Sequence, residues 1–125
     1  NHIENALVSP TILHNVNLSS ELVSNETFGP IVSIIKINNL NDAIDYISND
    51  RFALASGIVT NSKESAYKLY SGISVGQFSW NGRPGYRTEN APFGGFKDSG
   101  NGIKEGVVLM TREMRKIRTF YEHKM

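Results

Sequence analysis

The sequence of 125 residues contains no cysteine. A chain without cysteine cannot form a disulfide framework, a thiolate metal site or a thiol nucleophile. Any cysteine chemistry in which this chain takes part must therefore come from residues outside it.

Long hydrophobic runs are also absent, since none approaches the roughly 20 residues that a membrane-spanning helix needs. The opening residues 1–5 lack the charged and apolar regions of a secretory signal. We therefore expect a soluble, cytoplasmic protein with no membrane partner.

An excess of charge of one sign is missing too, because 13 basic and 12 acidic residues leave a formal net charge of +1. This balance supplies no broad basic field, so we expect no nucleic-acid partner. The basic cluster at residues 112–118 contains an acidic residue and is typical of a solvated helix end and edge strand. The histidines lack the spacing of metal ligands, so we expect no metal site; they are His2, His14 and His123.

A hydrophobic fraction of 39% in a chain of this length is typical of one domain with a packed core. Three apolar runs predict strands, at residues 31–37, 53–60 and 74–80. Helical periodicity between them predicts two helices. The first ends near Asn49 and is capped by Asn39 or Asn41, and the second is capped by Ser62 and stopped by Gly72. This alternation predicts the α/β class, a parallel sheet with flanking helices and right-handed crossovers.

The two ends of the chain carry weaker patterns. Residues 7–13 are apolar but interrupted by Pro10, which is typical of an edge strand or an extended segment. Ile103, Val107, Met110 and Met114 have the spacing of one helix face. The alternation at residues 116–121 predicts a terminal strand.

Two glycine-containing segments raise the question of nucleotide binding. Residues 100–106 imitate the glycine spacing of a dinucleotide-binding turn, but turn-forming residues precede them where a strand is required. We interpret this segment as a turn followed by a helix start. Residues 25–30 place the carboxylate of Glu26 and the ring of Phe28 before a buried strand, an arrangement that suits a sugar diol and a planar ring.

Four linked motifs follow one another along the chain, at residues 26–30, 52–60, 72–81 and 91–102. In order and spacing they resemble the C-terminal part of NAD(P)-dependent aldehyde dehydrogenases. The resemblance implies that residues 1–114 are the later part of the catalytic domain. It also implies that residues 115–125 are an oligomerisation strand and tail, through which a homodimer or homotetramer forms.

The resemblance implies NAD or NADP as the cofactor and assigns site residues one by one. Glu26 resembles the acid that accepts hydrogen bonds from the nicotinamide ribose, and Phe28 the aromatic residue beside the nicotinamide. Phe93 resembles the residue that lines the aldehyde tunnel. Asn81 ends the third predicted strand, and residues 82–90 match the variable substrate loop.

The substrate loop contains Arg83, Tyr86 and Arg87, where an enzyme for aliphatic aldehydes would favour apolar side chains. A guanidinium group presents a planar fork of donors that suits carboxylate or phosphate oxygens. We therefore expect a small aldehyde with an anionic group, with Arg87 as the better candidate and Arg83 second. In the alternative, both arginines pair with Glu89 or face solvent. The loop is also similar to the phosphonoacetaldehyde dehydrogenase branch of the family.

The family's catalytic cysteine, general-base glutamate, oxyanion-hole asparagine and dinucleotide domain have no counterparts in the sequence. In the implied mechanism a thiolate attacks the aldehyde, hydride passes to the nicotinamide, and water hydrolyses the resulting thioester. We therefore assign no catalytic residue to this chain and expect it to be inactive alone. The alternative is a non-catalytic, truncated module that acts only through oligomerisation.

Overall fold

A computed structural model describes residues 3–4 and 7–124, and the chain divides into two units, Asn1–Arg51 and Phe52–Met125. None of the helices among these described residues is long and apolar enough to cross a membrane.

The described residues of the first unit form two short ladders. Its elements are β1 (Ile3–Glu4), β2 (Leu7–Val8), β3 (Thr11–His14), α1 (Glu21–Ser24), β4 (Ile31–Ile34) and α2 (Leu40–Asn49). β1 and β2 are antiparallel, whereas β3 and β4 are parallel, with Thr11 opposite Ile31. Pro10 lies between β2 and β3 and, because proline has no backbone N–H, it interrupts the predicted edge segment as expected. The strand predicted at residues 31–37 is confirmed, but it is shorter than predicted and ends at Ile34.

Helix α2 begins and ends where the apolar periodicity predicts. Of the two candidate caps the structure selects Asn39, whose Oδ1 accepts hydrogen bonds from the backbone N–H groups of Asn41 (2.9 Å) and Asp42 (3.0 Å). A short polar side chain at this position satisfies N–H groups that have no partner within the helix. The cap therefore defines the start of α2 at Leu40.

The part of the second unit that the structure describes contains seven further elements. They are β5 (Phe52–Ala53), β6 (Ala55–Ile58), α3 (Lys63–Gly72), β7 (Gln77–Trp80), β8 (Gly94–Lys97), β9 (Gly102–Ile103) and α4 (Val107–Glu113). β6 and β7 are parallel, and β8 pairs antiparallel with both β5 and β9. The α/β class is therefore confirmed.

The pairing differs in detail from the simple alternation that the sequence predicts. The apolar run at residues 53–60 is shared between two ladders, because Ala53 pairs with Phe96 whereas Ala55 pairs with Gln77. The first predicted strand pairs with β3, and the other two pair with each other. The prediction that parallel strands pair across a connecting helix is thus correct. Such a pair occurs once in each unit, as β3 with β4 and as β6 with β7.

Helix α3 covers the small core of the second unit. Ser62 caps the helix as predicted, its Oγ accepting a hydrogen bond from the backbone N–H of Ser65 at 3.1 Å. The most deeply buried hydrophobic residues among those described are Ala53, Ala66, Leu69 and Ile73. Tyr70 stays half exposed but packs its ring against that of Phe78 in β7, with 5.5 Å between centroids. The helix thereby packs against β7.

A glycine permits the close approach of β8 to the start of β7. A Cβ atom at Gly76 would overlap the carbonyl oxygen of Gly94, so a side chain at this position would force two backbones apart. The contact brings Phe93, the residue before β8, close to the start of β7.

The C-terminal part of the chain departs from three expectations. Ile103 lies in β9, and the last helix begins only at Val107, because Gly106 has a φ of 95° outside the helical range. The turn and helix start predicted for residues 100–106 are wrong, because Gly102 and Ile103 form β9 and the helix begins beyond the segment. The strand predicted at residues 116–121 does not form within this chain, since a strand needs a neighbouring edge and no ladder of the described residues reaches it.

Candidate functional site

The predicted substrate loop closes over a pocket of about 130 Å³ in the second unit. Its lining consists of Gln77, Tyr86, Arg87, Thr88, Ala91, Pro92 and Phe93. The structure therefore brings together three predicted substrate-binding residues, Tyr86, Arg87 and Phe93.

Strand β7 holds the loop through alternate side chains. Gln77 and Ser79 lie two residues apart and therefore point to the same face of the strand. The Ser79 hydroxyl donates to the carbonyl of Arg83 at 2.9 Å, and the Gln77 side-chain amide donates to the carbonyl of Tyr86. A turn within the loop is closed by the Tyr86 N–H, which donates to the same Arg83 carbonyl at 3.1 Å.

Arg87 is held by an aromatic ring and a carboxylate. Its guanidinium carbon lies 4.0 Å from the centroid of the Phe93 ring, within the range of a cation–π interaction. Its Nη2 donates to a carboxylate oxygen of Glu105. The alternative in which Arg87 pairs with Glu89 or faces solvent is therefore wrong, because its partner is Glu105.

Arg83 and Asn81 lie outside the lining of this pocket. Arg83 is exposed, and its backbone carbonyl supports the loop. The side-chain amide of Asn81 makes two hydrogen bonds to the backbone of Thr60. Its Oδ1 accepts from the Thr60 N–H at 2.8 Å, and its Nδ2 donates to the Thr60 carbonyl at 3.0 Å. This geometry favours a structural role for Asn81, and its contact with substrate stays a prediction.

Glu26 and Phe28 belong to the first unit, on the loop that leads into β4. Two tight backbone hydrogen bonds shape this loop, from the Gly29 N–H to the Thr27 carbonyl and from the Ile31 N–H to the Gly29 carbonyl, both 2.8 Å. The Phe28 side chain is 93% exposed, and Glu26 is exposed as well. An accessible carboxylate and an accessible flat ring two residues apart fit a ribose hydroxyl pair and a nicotinamide ring.

Sequence reasoning missed two residues of the site, Gln77 in the lining of the pocket and Glu105 beside Arg87. The alternation of β7 could have placed Gln77 on the face of Ser79. Glu105 carries no local signal, because 18 positions separate it from Arg87 and only folding brings them together. Within the part of the chain that the structure describes, no three His, Asp or Glu side chains lie close enough to hold a metal ion.

The sequence pattern of the aldehyde dehydrogenase family matches residues 1–120. The chain belongs to the aldehyde dehydrogenase family. This membership confirms the resemblance carried by the four motifs. The roles assigned to individual residues of this chain stay predictions, and so does the domain boundary at residue 114.

Two relatives with assigned activities show how much of an aldehyde dehydrogenase the chain covers. A sulfoacetaldehyde dehydrogenase of Neptuniibacter caesariensis is 39% identical over 119 residues, which are 95% of this chain and 26% of that protein. A lactaldehyde dehydrogenase of Methanococcus vannielii is 37% identical over 121 residues, which are 97% of this chain and 26% of that protein. The chain thus spans about a quarter of the length of these relatives.

Solved aldehyde dehydrogenase structures share the fold. An aldehyde dehydrogenase 21 from Physcomitrella patens, in complex with the reaction product succinate, has a TM-score of 0.81 at 30% identity and covers 90% of this chain and 23% of its own. A Mycobacterium tuberculosis aldehyde dehydrogenase complexed with NAD+ has a TM-score of 0.71 at 29% identity and covers 78% of this chain and 20% of its own.

Proposed function

We propose that this chain is the C-terminal part of an NAD(P)-dependent aldehyde dehydrogenase that oxidises a small anionic aldehyde to a carboxylic acid. The observation that carries the proposal is the pocket of Tyr86, Arg87 and Phe93 in a chain whose family match runs through residues 1–120. The relative named sulfoacetaldehyde dehydrogenase supports an anionic substrate, while the relative named lactaldehyde dehydrogenase makes a neutral substrate the alternative to test.

Arg87 is the residue that would recognise the anion. Of the three guanidinium nitrogens of Arg87, only Nη2 has a hydrogen-bond partner among the described residues, and this one bond leaves four of the five N–H donors for a ligand. Phe93 holds the guanidinium plane from one side, so these donors keep a defined direction. A planar donor fork of this kind suits a sulfonate, phosphonate or carboxylate group.

Glu26 and Phe28 would hold the cofactor. The carboxylate would accept hydrogen bonds from the ribose hydroxyl groups, and the ring would pack beside the nicotinamide. When bound, NAD+ or NADP+ accepts the hydride that leaves the substrate carbon. The preference between the two is not encoded in these two residues, because both cofactors carry the same nicotinamide ribose.

The reacting groups themselves belong to the rest of the enzyme. The chain has no cysteine, so the nucleophile that attacks the aldehyde lies outside it. Phe93 and Tyr86 would form an aromatic wall that limits water around the aldehyde, and Arg87 would orient its anionic end. This division of roles predicts that the fragment alone is inactive. As a separate proposal, the complete enzyme is a cytoplasmic homo-oligomer.

The test compares two aldehydes of similar size in the complete enzyme. For Arg87→Ala we expect kcat/KM for sulfoacetaldehyde to fall about tenfold or more, because a charge-assisted hydrogen bond is lost. We expect little change for neutral propionaldehyde. Arg83→Ala is the matched control, since it removes the same charge from the same loop outside the pocket.

Equal losses for both aldehydes in Arg87→Ala would reject the anion-binding role. Absence of aldehyde oxidation by the complete wild-type enzyme with either cofactor would reject the enzyme itself. The non-catalytic module, acting through oligomerisation alone, would then be the better explanation.

A further inference from the structure

We propose that Glu105 is a specificity-determining residue that lowers the affinity of the pocket for anionic substrates by neutralising Arg87. This inference rests on the proposed function, because it concerns the same guanidinium group. It adds that charge selectivity is set by a pair of residues rather than by one arginine.

The pair is assembled by the fold through Phe93. The Phe93 carbonyl accepts hydrogen bonds from the backbone N–H groups of Lys104 at 2.8 Å and Glu105 at 3.3 Å. The Phe93 ring lies under the Arg87 guanidinium. One residue therefore positions both members of the pair, its backbone beside Glu105 and its ring beside Arg87.

Arg87 separates two concave surfaces. On one side it lines the pocket with Tyr86 and Phe93. On the other it lines an open depression with Thr88, Glu89 and Glu105. Glu105 lines only the depression, so it contacts the guanidinium without filling the substrate pocket.

The carboxylate changes what the pocket offers to an anion. With Glu105 ionised the pair has no net charge, so an incoming sulfonate meets a guanidinium whose positive charge is already offset by the carboxylate. The side chains of Arg87 and Glu105 are 48% and 43% exposed, so solvent screens the interaction and the effect is moderate. Removing the negative charge should therefore strengthen anion binding, whereas a neutral aldehyde should not respond.

Glu105→Gln in the complete enzyme tests this inference. The amide keeps an oxygen acceptor for Nη2 while removing the charge. We expect KM for sulfoacetaldehyde and the inhibition constant of ethanesulfonate, which has no aldehyde group, to fall about three- to fivefold. The KM for propionaldehyde should stay within error of the wild-type value.

Glu89→Gln is the matched control, because Glu89 is a carboxylate of the same depression whose side chain makes no hydrogen bond to a described residue. We expect it to leave both constants unchanged. In an Arg87→Ala background, Glu105→Gln should also have no effect, since the two residues act through one interaction.

Unchanged or raised constants for the anions in Glu105→Gln would overturn the inference, as would an equal decrease in Glu89→Gln. If Glu105→Gln does not fold, Glu105→Ala removes the same charge and is judged by the same constants. A wild-type enzyme that oxidises neither aldehyde fails the proposed function instead, which separates the two failures.

Discussion

Glu26 carries its carboxylate on an exposed loop shaped by backbone hydrogen bonds, so its substitution should affect ligand binding more than folding. For Glu26→Gln in the complete enzyme we expect hydride transfer to slow about tenfold, because an amide is a weaker acceptor for ribose hydroxyl groups than a carboxylate. Single-turnover measurement of NADH or NADPH formation checks this expectation.

Glu21→Gln is the control for this prediction, since Glu21 is another exposed acidic residue of the first unit. It should leave hydride transfer unchanged. Normal kinetics with both cofactors in Glu26→Gln would contradict the assigned role.

At the scale of elements, Asn81 joins the ends of β6 and β7. Its backbone N–H donates to the Ile58 carbonyl at 2.8 Å, and its side-chain amide binds both backbone groups of Thr60. The Thr60 carbonyl also accepts a hydrogen bond from Trp80 Nε1 at 2.9 Å. Asn81 has a φ of 54°, a left-handed conformation that asparagine tolerates better than most residues.

Asn81→Ala should therefore destabilise the complete enzyme by about 1–2 kcal/mol, through lost hydrogen bonds and strain at a positive φ. Asn81→Gly loses the same hydrogen bonds but tolerates this φ, so we expect a smaller loss of stability. Thermal unfolding measures both changes. A normal melting temperature combined with a raised KM for aldehyde would instead support the substrate contact.

At the scale of the whole molecule, the segment after α4 carries exposed apolar side chains between its charged ones. Ile117, Phe120 and Tyr121 are 97%, 86% and 77% exposed, and residues 115–124 form no ladder within the described chain. Apolar side chains on an unpaired segment are costly in water and are typically covered by a partner. This exposure is consistent with the inter-subunit strand predicted for residues 116–121.

Truncation of the complete enzyme after Arg115 should shift its mass toward smaller species in light scattering. Truncation after Glu122 is the control, because it removes only residues beyond the predicted strand. An unchanged mass after the longer truncation would show that subunits associate through another surface.

The predictable parts of this fold depend on residues that are close in sequence. The bounds of α2 and α3 follow from apolar spacing and from the capping residues Asn39 and Ser62, whose hydrogen bonds reach only two or three positions along the chain. The apolar spacing predicts Ile103 on the face of the last helix, but the residue lies in β9. The helix begins only after Gly106, because this residue has a positive φ. Periodicity does not report such a backbone change.

The sequence by itself determined the family, the α/β class and the helices α2 and α3, because motifs, caps and periodicity are local. Only the tertiary structure decided which strands pair, that Arg87 meets Glu105 and that Asn81 binds Thr60. The last two contacts join residues 18 and 21 positions apart. Such partners are selected by the packing of elements against one another, so charge or hydrogen-bonding capacity alone does not reveal them.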